Sequence, residues 1–288
     1  MHSIRRQPDH TAAPDAPGAP GAGLISLVGA GPGARDLLTL RAARRLQEAD
    51  VIFYDRLVDP EVLEMANPEA ERVYVGKVVG ASAWPQDRIC ALIVREALRG
   101  RRVVRLKSGD PVIFGRATEE LEAARAKGIA VEIVPGVTAA SAAAAALGRS
   151  LTQRGLTDAL ILVTGTCRPG DPAPDWGRLV RPGCTIAVYM GLARAGSIAA
   201  QMIRAGAASD TRVQVAFDVA KPSELLVDTT LDGLGAAIAA TGRTAAAILL
   251  ISFPKMSAAR SLADPPQSGA AQSGVTLSEP PRLMRVGV

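Results

Sequence analysis

The chain has 288 residues, of which 48% are hydrophobic and 21% charged, with a formal net charge of +5. This is the composition of a globular protein with room for two α/β lobes, and no apolar run reaches the ~18 residues of a membrane helix. The positive charge is scattered and only 3% of residues are aromatic, which argues against a nucleic-acid binder and leaves an anionic small molecule as the better-matched partner. Cys90, Cys167 and Cys184 form no C-x-x-C pair, and His2 and His10 both lie at the N-terminus. No metal site and no disulfide framework is expected, which fits a reduced, cytoplasmic protein.

Residues 1–22 are rich in Pro, Gly, Ala and Asp and read as a disordered tail. Arg5-Arg6 has no apolar segment behind it, so a secretory or twin-arginine signal is not expected. From there apolar strands alternate with amphipathic helices. Residues 24–28 predict a strand, 36–50 a helix, 51–54 a strand, 87–99 a helix, 102–107 a strand, 118–127 a helix stopped by Gly128, and 130–134 a strand. This alternation predicts a parallel sheet with helices on both faces. Pro135-Gly136 reads as a hinge. An Ala-rich helix follows at 139–147, then strands at 159–163, 185–189, 213–217 and 246–251, with helices near 195–205 and 231–240. The expected organisation is an N-terminal α/β lobe over 23–135, a C-terminal α/β lobe over 136–256 and a second disordered tail over 257–288. A further catalytic domain is not expected.

Two turns carry the chemistry. The strand at 102–107 breaks at Ser108-Gly109-Asp110-Pro111, which exposes backbone polar groups at the carboxyl rim of a sheet, where ligands of open α/β sheets sit. The loop Gly29-Ala30-Gly31-Pro32-Gly33-Ala34 satisfies G-x-G-x-x-[G/A], with Asp55 some twenty residues on. An NAD(P)-dependent dehydrogenase would use those parts for pyrophosphate and ribose. Against it, Pro32 removes an N–H, and an acid in the first turn, Asp36, would repel a pyrophosphate.

The motifs taken together resemble one family. Val28-Gly-Ala-Gly-Pro-Gly33, Leu37-Leu-Thr-Leu40, Ala49-Asp-Val-Ile-Phe-Tyr-Asp-Arg-Leu-Val58, Tyr74-Val-Gly-Lys77, Arg105-Leu-Lys-Ser-Gly-Asp-Pro111, Ile113-Phe-Gly-Arg116, Val134-Pro-Gly-Val-Thr-Ala139, Leu151-Thr152 with Arg154, and Tyr189-Met-Gly191 are similar, in order and spacing, to uroporphyrinogen-III C-methyltransferases. The resemblance runs from about Leu24 to Ser252. It implies the tetrapyrrole methylase fold, two αβα lobes with the active site in the cleft between them, and a homodimer. It implies S-adenosylmethionine as methyl donor and a polycarboxylate tetrapyrrole, uroporphyrinogen III, methylated at carbons 2 and 7 to give precorrin-2 for sirohaem or cobalamin. A methyltransferase acting on a later precorrin is the nearest alternative, and a tetrapyrrole carrier without activity is another. The chain departs from the family pattern at Ala34, Val78, Ser82 and Gln153, all near the expected substrate cleft.

Residue by residue, the resemblance makes Asp55 the proton acceptor and Lys77 the proton donor. Arg56, Arg116 and Arg154 match arginines that hold the substrate carboxylates, a task suited to bidentate guanidinium bonding. Arg116, held by Glu119, is a second contender for the base. The donor is expected on Pro32, Ser108, Gly109, Asp110, Ile113, Thr138, Ala139 and Met190, with weaker matches near Val219 and Thr244. Each has a plainer reading too. Asp55 can cap a turn and pair with Arg56, Arg116 and Glu119 can be an exposed ion pair, Lys77 a solvated loop charge, and Met190 core.

Overall fold

The computed structural model describes residues 23–76, 84–167, 170–244 and 246–255. Lys77, Val78, Ser82 and both expected tails lie outside them. Five parallel strands form the first sheet: β1 (Leu24–Gly29), β2 (Val51–Tyr54), β3 (Glu71–Tyr74), β4 (Val103–Lys107) and β5 (Ala130–Val134), in the order β3-β2-β4-β1-β5. Alternation along β1 sends Ile25 and Leu27 into one core and Val28 into the other. Helices α1 (Leu40–Glu48) and α2 (Pro60–Glu64) cover the Val28 face, and α3 (Gln86–Leu98) and α4 (Ala117–Arg125) cover the opposite one. The connection from β1 through α1 runs to β2, and the one from β4 through α4 runs the other way to β5, on the opposite face. Neighbouring strands whose connections diverge in this way leave a crevice at their carboxyl ends.

The second sheet has β6 (Ala159–Thr164), β7 (Cys184–Tyr189), β8 (Arg212–Phe217), β9 (Leu225–Thr230) and β10 (Ala247–Phe253), in the order β6-β7-β10-β8-β9. Only β6 and β7 are parallel, so this half is a mixed sheet, unlike the first. Helix α5 (Ala139–Ala146) lays Ala140, Ala143 and Ala144 on Ala187, Ala216 and Leu250, where small side chains on both surfaces allow close approach. Helices α6 (Trp176–Leu179), α7 (Ala195–Arg204) and α8 (Leu234–Thr241) cover the other face.

The predicted strands and long helices are present, with the largest boundary shift at the first helix. The helix expected from Asp36 begins at Leu40, because residues 35–37 form a separate 3-10 turn and Leu38 is extended. Thr39 then caps α1 by accepting the Ala42 N–H at 3.1 Å. Four short elements carry no clear periodic signal. β3 and β9 are edge strands with few buried positions, and α2 and α6 span barely one turn.

Glu96, on α3, is buried and binds three arginines: Arg95 at 2.9 Å, Arg99 at 3.0 Å and Arg101 at 3.0 Å. Arg101 also donates to the Asp50 carbonyl and to Glu71, which ties the end of α3 to the starts of β2 and β3. Burial pushes the Glu96 carboxyl up, but the hydrogen bonds from the three arginines outweigh it and hold the carboxyl below its usual 4.5. A carboxylate with a lowered folded-state value stabilises fully above its unfolded value and loses that contribution as pH falls through the folded one. Glu96→Gln is therefore expected to cost about 1.5–3 kcal/mol near neutral pH. In urea titrations this deficit should shrink below pH 4.5. A deficit independent of pH would show that packing rather than charge is at stake.

Candidate active site

The carboxyl ends of β1 and β4 are stitched together by two backbone hydrogen bonds, Gly109 N–H to Gly31 O at 2.7 Å and Gly31 N–H to Gly109 O at 3.2 Å. Both glycines have positive φ, +72° and +70° for Gly31 and Gly109, which suits a residue without Cβ. A third glycine closes the floor, since a Cβ on Gly136 would lie 2.2 Å from Gly109 O. Asp110 fastens the same corner: Oδ1 accepts the Val112 N–H at 2.9 Å, and Oδ2 accepts the Gly136 N–H at 3.1 Å. The Gly31 N–H is thus spent on Gly109, and α1 starts well beyond Gly33. A pyrophosphate would find no free helix N-terminus at this loop, so the geometry does not favour the dehydrogenase reading.

Above this floor lies a cavity of about 500 Å³. All eight residues expected to hold a donor line it: Pro32, Ser108, Gly109, Asp110, Ile113, Thr138, Ala139 and Met190. Leu57, Phe114, Tyr189, Asp218, Lys221 and Arg243, to which the sequence assigned no role in the site, line it too, as do the weak matches Val219 and Thr244. Tyr189, at the end of β7, shares a hydrogen bond with Thr138 Oγ1 at 2.5 Å and accepts the Ala140 N–H at 3.1 Å, capping α5 from the second sheet. Its ring packs on Phe114, with centroids 5.0 Å apart, and so joins the two halves.

Five non-glycine residues among those described have positive φ: Phe114, Arg116, Met190, Asp218 and Ala220. Phe114, Met190 and Asp218 line the cavity, and the other two stand within two residues of lining positions. Such conformations cost about 1–3 kcal/mol each and cluster at functional sites. Met190 is 53% exposed and Phe114 40% exposed, and Thr166 Oγ1 donates to the Met190 carbonyl at 2.9 Å. Met190 is therefore a presented surface and not core.

Asp55 follows β2 directly and is half-buried. Its Oδ1 accepts the Leu57 N–H at 3.1 Å, so it does cap a turn. Its ionic partner is Arg105, at 3.4 Å, where the plainer reading expected Arg56. Arg56 is exposed. Arg105 belongs to a buried network that sequence reasoning missed. Its Nε donates to Glu120 at 3.1 Å, Lys107 Nζ donates to the same carboxylate at 2.8 Å, and Gln86 joins at 3.3 Å. Burial, and then the charge of Arg105, lower the Lys107 ammonium below its usual 10.5. Arg116 and Glu119 form an ion pair at 2.9 Å across the first turn of α4, beside Phe114. Arg154 is exposed on the turn closed by Gln153 and Thr157, and does not line the cavity. Among the described residues no group of three His, Cys, Asp or Glu side chains is gathered to hold a metal ion.

Two α/β sheets joined by a cavity at their strand ends, with a carboxylate turn on its rim, are the frame of a group-transfer enzyme. Residues 24–235 match the tetrapyrrole (corrin/porphyrin) methylases, and the chain belongs to that family. The siroheme synthase of Chromobacterium violaceum is 44% identical over 234 residues, covering 81% of this chain and 50% of that protein. The chain thus spans about half the length of the curated relatives it matches. A uroporphyrin-III C-methyltransferase from Thermus thermophilus, solved with S-adenyl homocysteine, superposes with a TM-score of 0.66 at 39% identity, over 79% of this chain and 97% of that one. A cobalt precorrin-4 methyltransferase superposes with a TM-score of 0.72 at 31% identity, over 80% and 94% of the two chains.

The buried network generates a stability prediction. Glu120 is fully buried and is the shared anion for Arg105 and Lys107. Removing one partner of a buried ionic cluster leaves the others uncompensated, so Glu120→Gln is expected to cost about 3–5 kcal/mol in denaturant titrations. Because the folded-state value of Lys107 is lowered, the native state releases that proton first, and stability rises with pH up to the ordinary lysine value of 10.5. Glu120 itself raises the Lys107 value, so Glu120→Gln lowers it further; the variant sheds its uncompensated charge at lower pH than the native protein, and its deficit should narrow as pH approaches 10.5. A deficit that widens there would contradict the charge account.

Proposed function

We propose that the chain is a uroporphyrinogen-III C-methyltransferase, which methylates carbons 2 and 7 of the tetrapyrrole in turn from S-adenosylmethionine and yields precorrin-2. The observation that carries this reading is the convergence of strand ends from both sheets on one cavity, with the Asp55 turn at its rim through Leu57. The similarity to the Thermus enzyme over nearly its whole length supports it. A later precorrin is the second reading, favoured by the TM-score of 0.72 to the precorrin-4 enzyme but not by the identity, which is lower. On the proposed reading the chain divides at Pro135-Gly136 into two lobes and works as a cytoplasmic homodimer.

The lining fits such a donor. Ser108, Asp110 and Thr138 offer polar groups for an amino-acid tail and ribose, and Ile113, Phe114 and Met190 offer apolar, polarizable walls for a purine. When bound, the donor supplies an electrophilic sulfonium methyl. The electron-rich pyrrole carbon needs no activation, so the residues of this chain must align the two reactants, exclude water and take up a proton. Asp55 accepts that proton from the macrocycle, with Arg105 fixing the carboxylate from below. Lys77 donates one. Arg56 and Arg116 clamp substrate carboxylates at the rim, and Arg154 meets a peripheral one. The exposed apolar side chains of Leu57, Phe114 and Val112 give the pyrrole rings of the macrocycle a surface to cover.

Calorimetry should show binding of S-adenosylhomocysteine and none of NAD or NADP. The reverse pattern would restore the dehydrogenase. Asp55→Asn should bind donor product and tetrapyrrole almost normally while turnover falls by roughly two to four orders of magnitude. Arg116→Ala should weaken tetrapyrrole binding by about one to two orders of magnitude, the worth of a charge-assisted bond, and leave donor binding intact. Near-normal turnover by Asp55→Asn would pass the role of base to Arg116 with Glu119.

A further inference from the structure

The connection between β8 and β9, residues 218–224, is braced from within. The Ala220 N–H donates to Glu224 Oε2 at 2.8 Å, Ser223 Oγ to Asp218 Oδ2 at 3.1 Å, and Arg243 to the Ser223 carbonyl at 2.5 Å. With Asp218 and Ala220 both at positive φ, it forms a fixed ledge on the second half. The ledge presses on the first half, since a Cβ on Gly33 would lie 2.6 Å from Ala220 O and 2.6 Å from Lys221 Cγ. The stem of Lys221 therefore crosses the glycine loop. Its Nζ donates to the Leu57 carbonyl at 3.2 Å and stands 3.9 Å from Asp59 Oδ2. Both acceptors belong to the turn that begins at Asp55. Asp59 Oδ1 meanwhile accepts the Glu61 N–H and starts α2, so the turn is tied at both ends. Lys221 is mostly buried and lines the cavity itself.

We infer that Lys221 is a positioning residue, which reaches from the second half to clamp the turn at residues 55–59 against the donor cavity. This rests on the reading of Asp55 as proton acceptor. Arg105 fixes the carboxylate from its own sheet, and Lys221 fixes the backbone beside it from the other. The base and the donor are then held in one frame, although their supports lie on different sheets. Alignment of this kind is sensitive, because a misplacement of about 1 Å can cost two orders of magnitude in rate.

The test compares Lys221→Met, which keeps the stem over Gly33 and removes the ammonium, with Lys221→Arg. Hydrogen exchange at the amides of Leu57 and Val58 should quicken about three- to tenfold in Lys221→Met and return in Lys221→Arg. Turnover should fall by roughly one to two orders of magnitude in Lys221→Met and recover in Lys221→Arg, with S-adenosylhomocysteine affinity nearly unchanged. Unchanged exchange in Lys221→Met would overturn the clamp whatever Asp55 does. Donor affinity falling in step with turnover would overturn it as well, making Lys221 a donor contact. Quickened exchange with normal turnover would overturn the positioning role and leave Asp55 untouched. Quickened exchange and lost turnover beside a fully active Asp55→Asn would support the clamp and discard Asp55 as the base.

Discussion

The rest of the site depends on the contact between three glycines at the carboxyl ends of β1, β4 and β5. Gly31 and Gly109 exchange backbone hydrogen bonds, and Gly136 lies so close to Gly109 that no Cβ can come between them. The contact closes the crevice that the diverging connections of β1 and β4 would leave open, and it sets Ser108 and Asp110 beside the cavity that they line. It also uses up the backbone donor that a dinucleotide would require. The same loop that resembles a phosphate cradle in one dimension is a floor in three.

The second constraint is charge held inside the first sheet. Arg105, Lys107 and Glu120 are buried together, with Asp55 at the edge of the cluster. Two cations and two carboxylates balance, which makes burial of each tolerable. Such a network contributes little net stability but resists rearrangement, because moving one member strands the others. A carboxylate at its rim is therefore oriented by the interior of the sheet, while the turn that carries it is met from the far side by Lys221. The cavity walls show the same division, with Phe114 and Tyr189 in ring contact across the two halves.

Much of this frame was legible in the sequence, and the residues explain where it was not. Strands buried on both faces read as apolar runs, and glycine-rich turns mark their ends, so the first sheet and its ligand rim could be located. The eight residues that motif resemblance assigns to a donor gather around one cavity. Arg105 and Lys107 were opaque because charged residues in a strand read as solvent-facing. Only the pairing of Phe53 with Arg105 between β2 and β4 carries that guanidinium to Asp55. Lys221 lies 164 residues from Leu57 and has no local pattern to announce it. The edge strands β3 and β9 were missed because half-exposed strands lack the continuous apolar signature.

On the proposed function, this cavity delivers methyl groups to uroporphyrinogen III. The most direct measurement is mass spectrometry of the tetrapyrrole after incubation with the full chain and S-adenosylmethionine carrying an isotopically labelled methyl group. The expected product bears two labelled methyl groups and forms through a singly labelled intermediate. Absence of label from uroporphyrinogen III, with label entering a later precorrin instead, would contradict it.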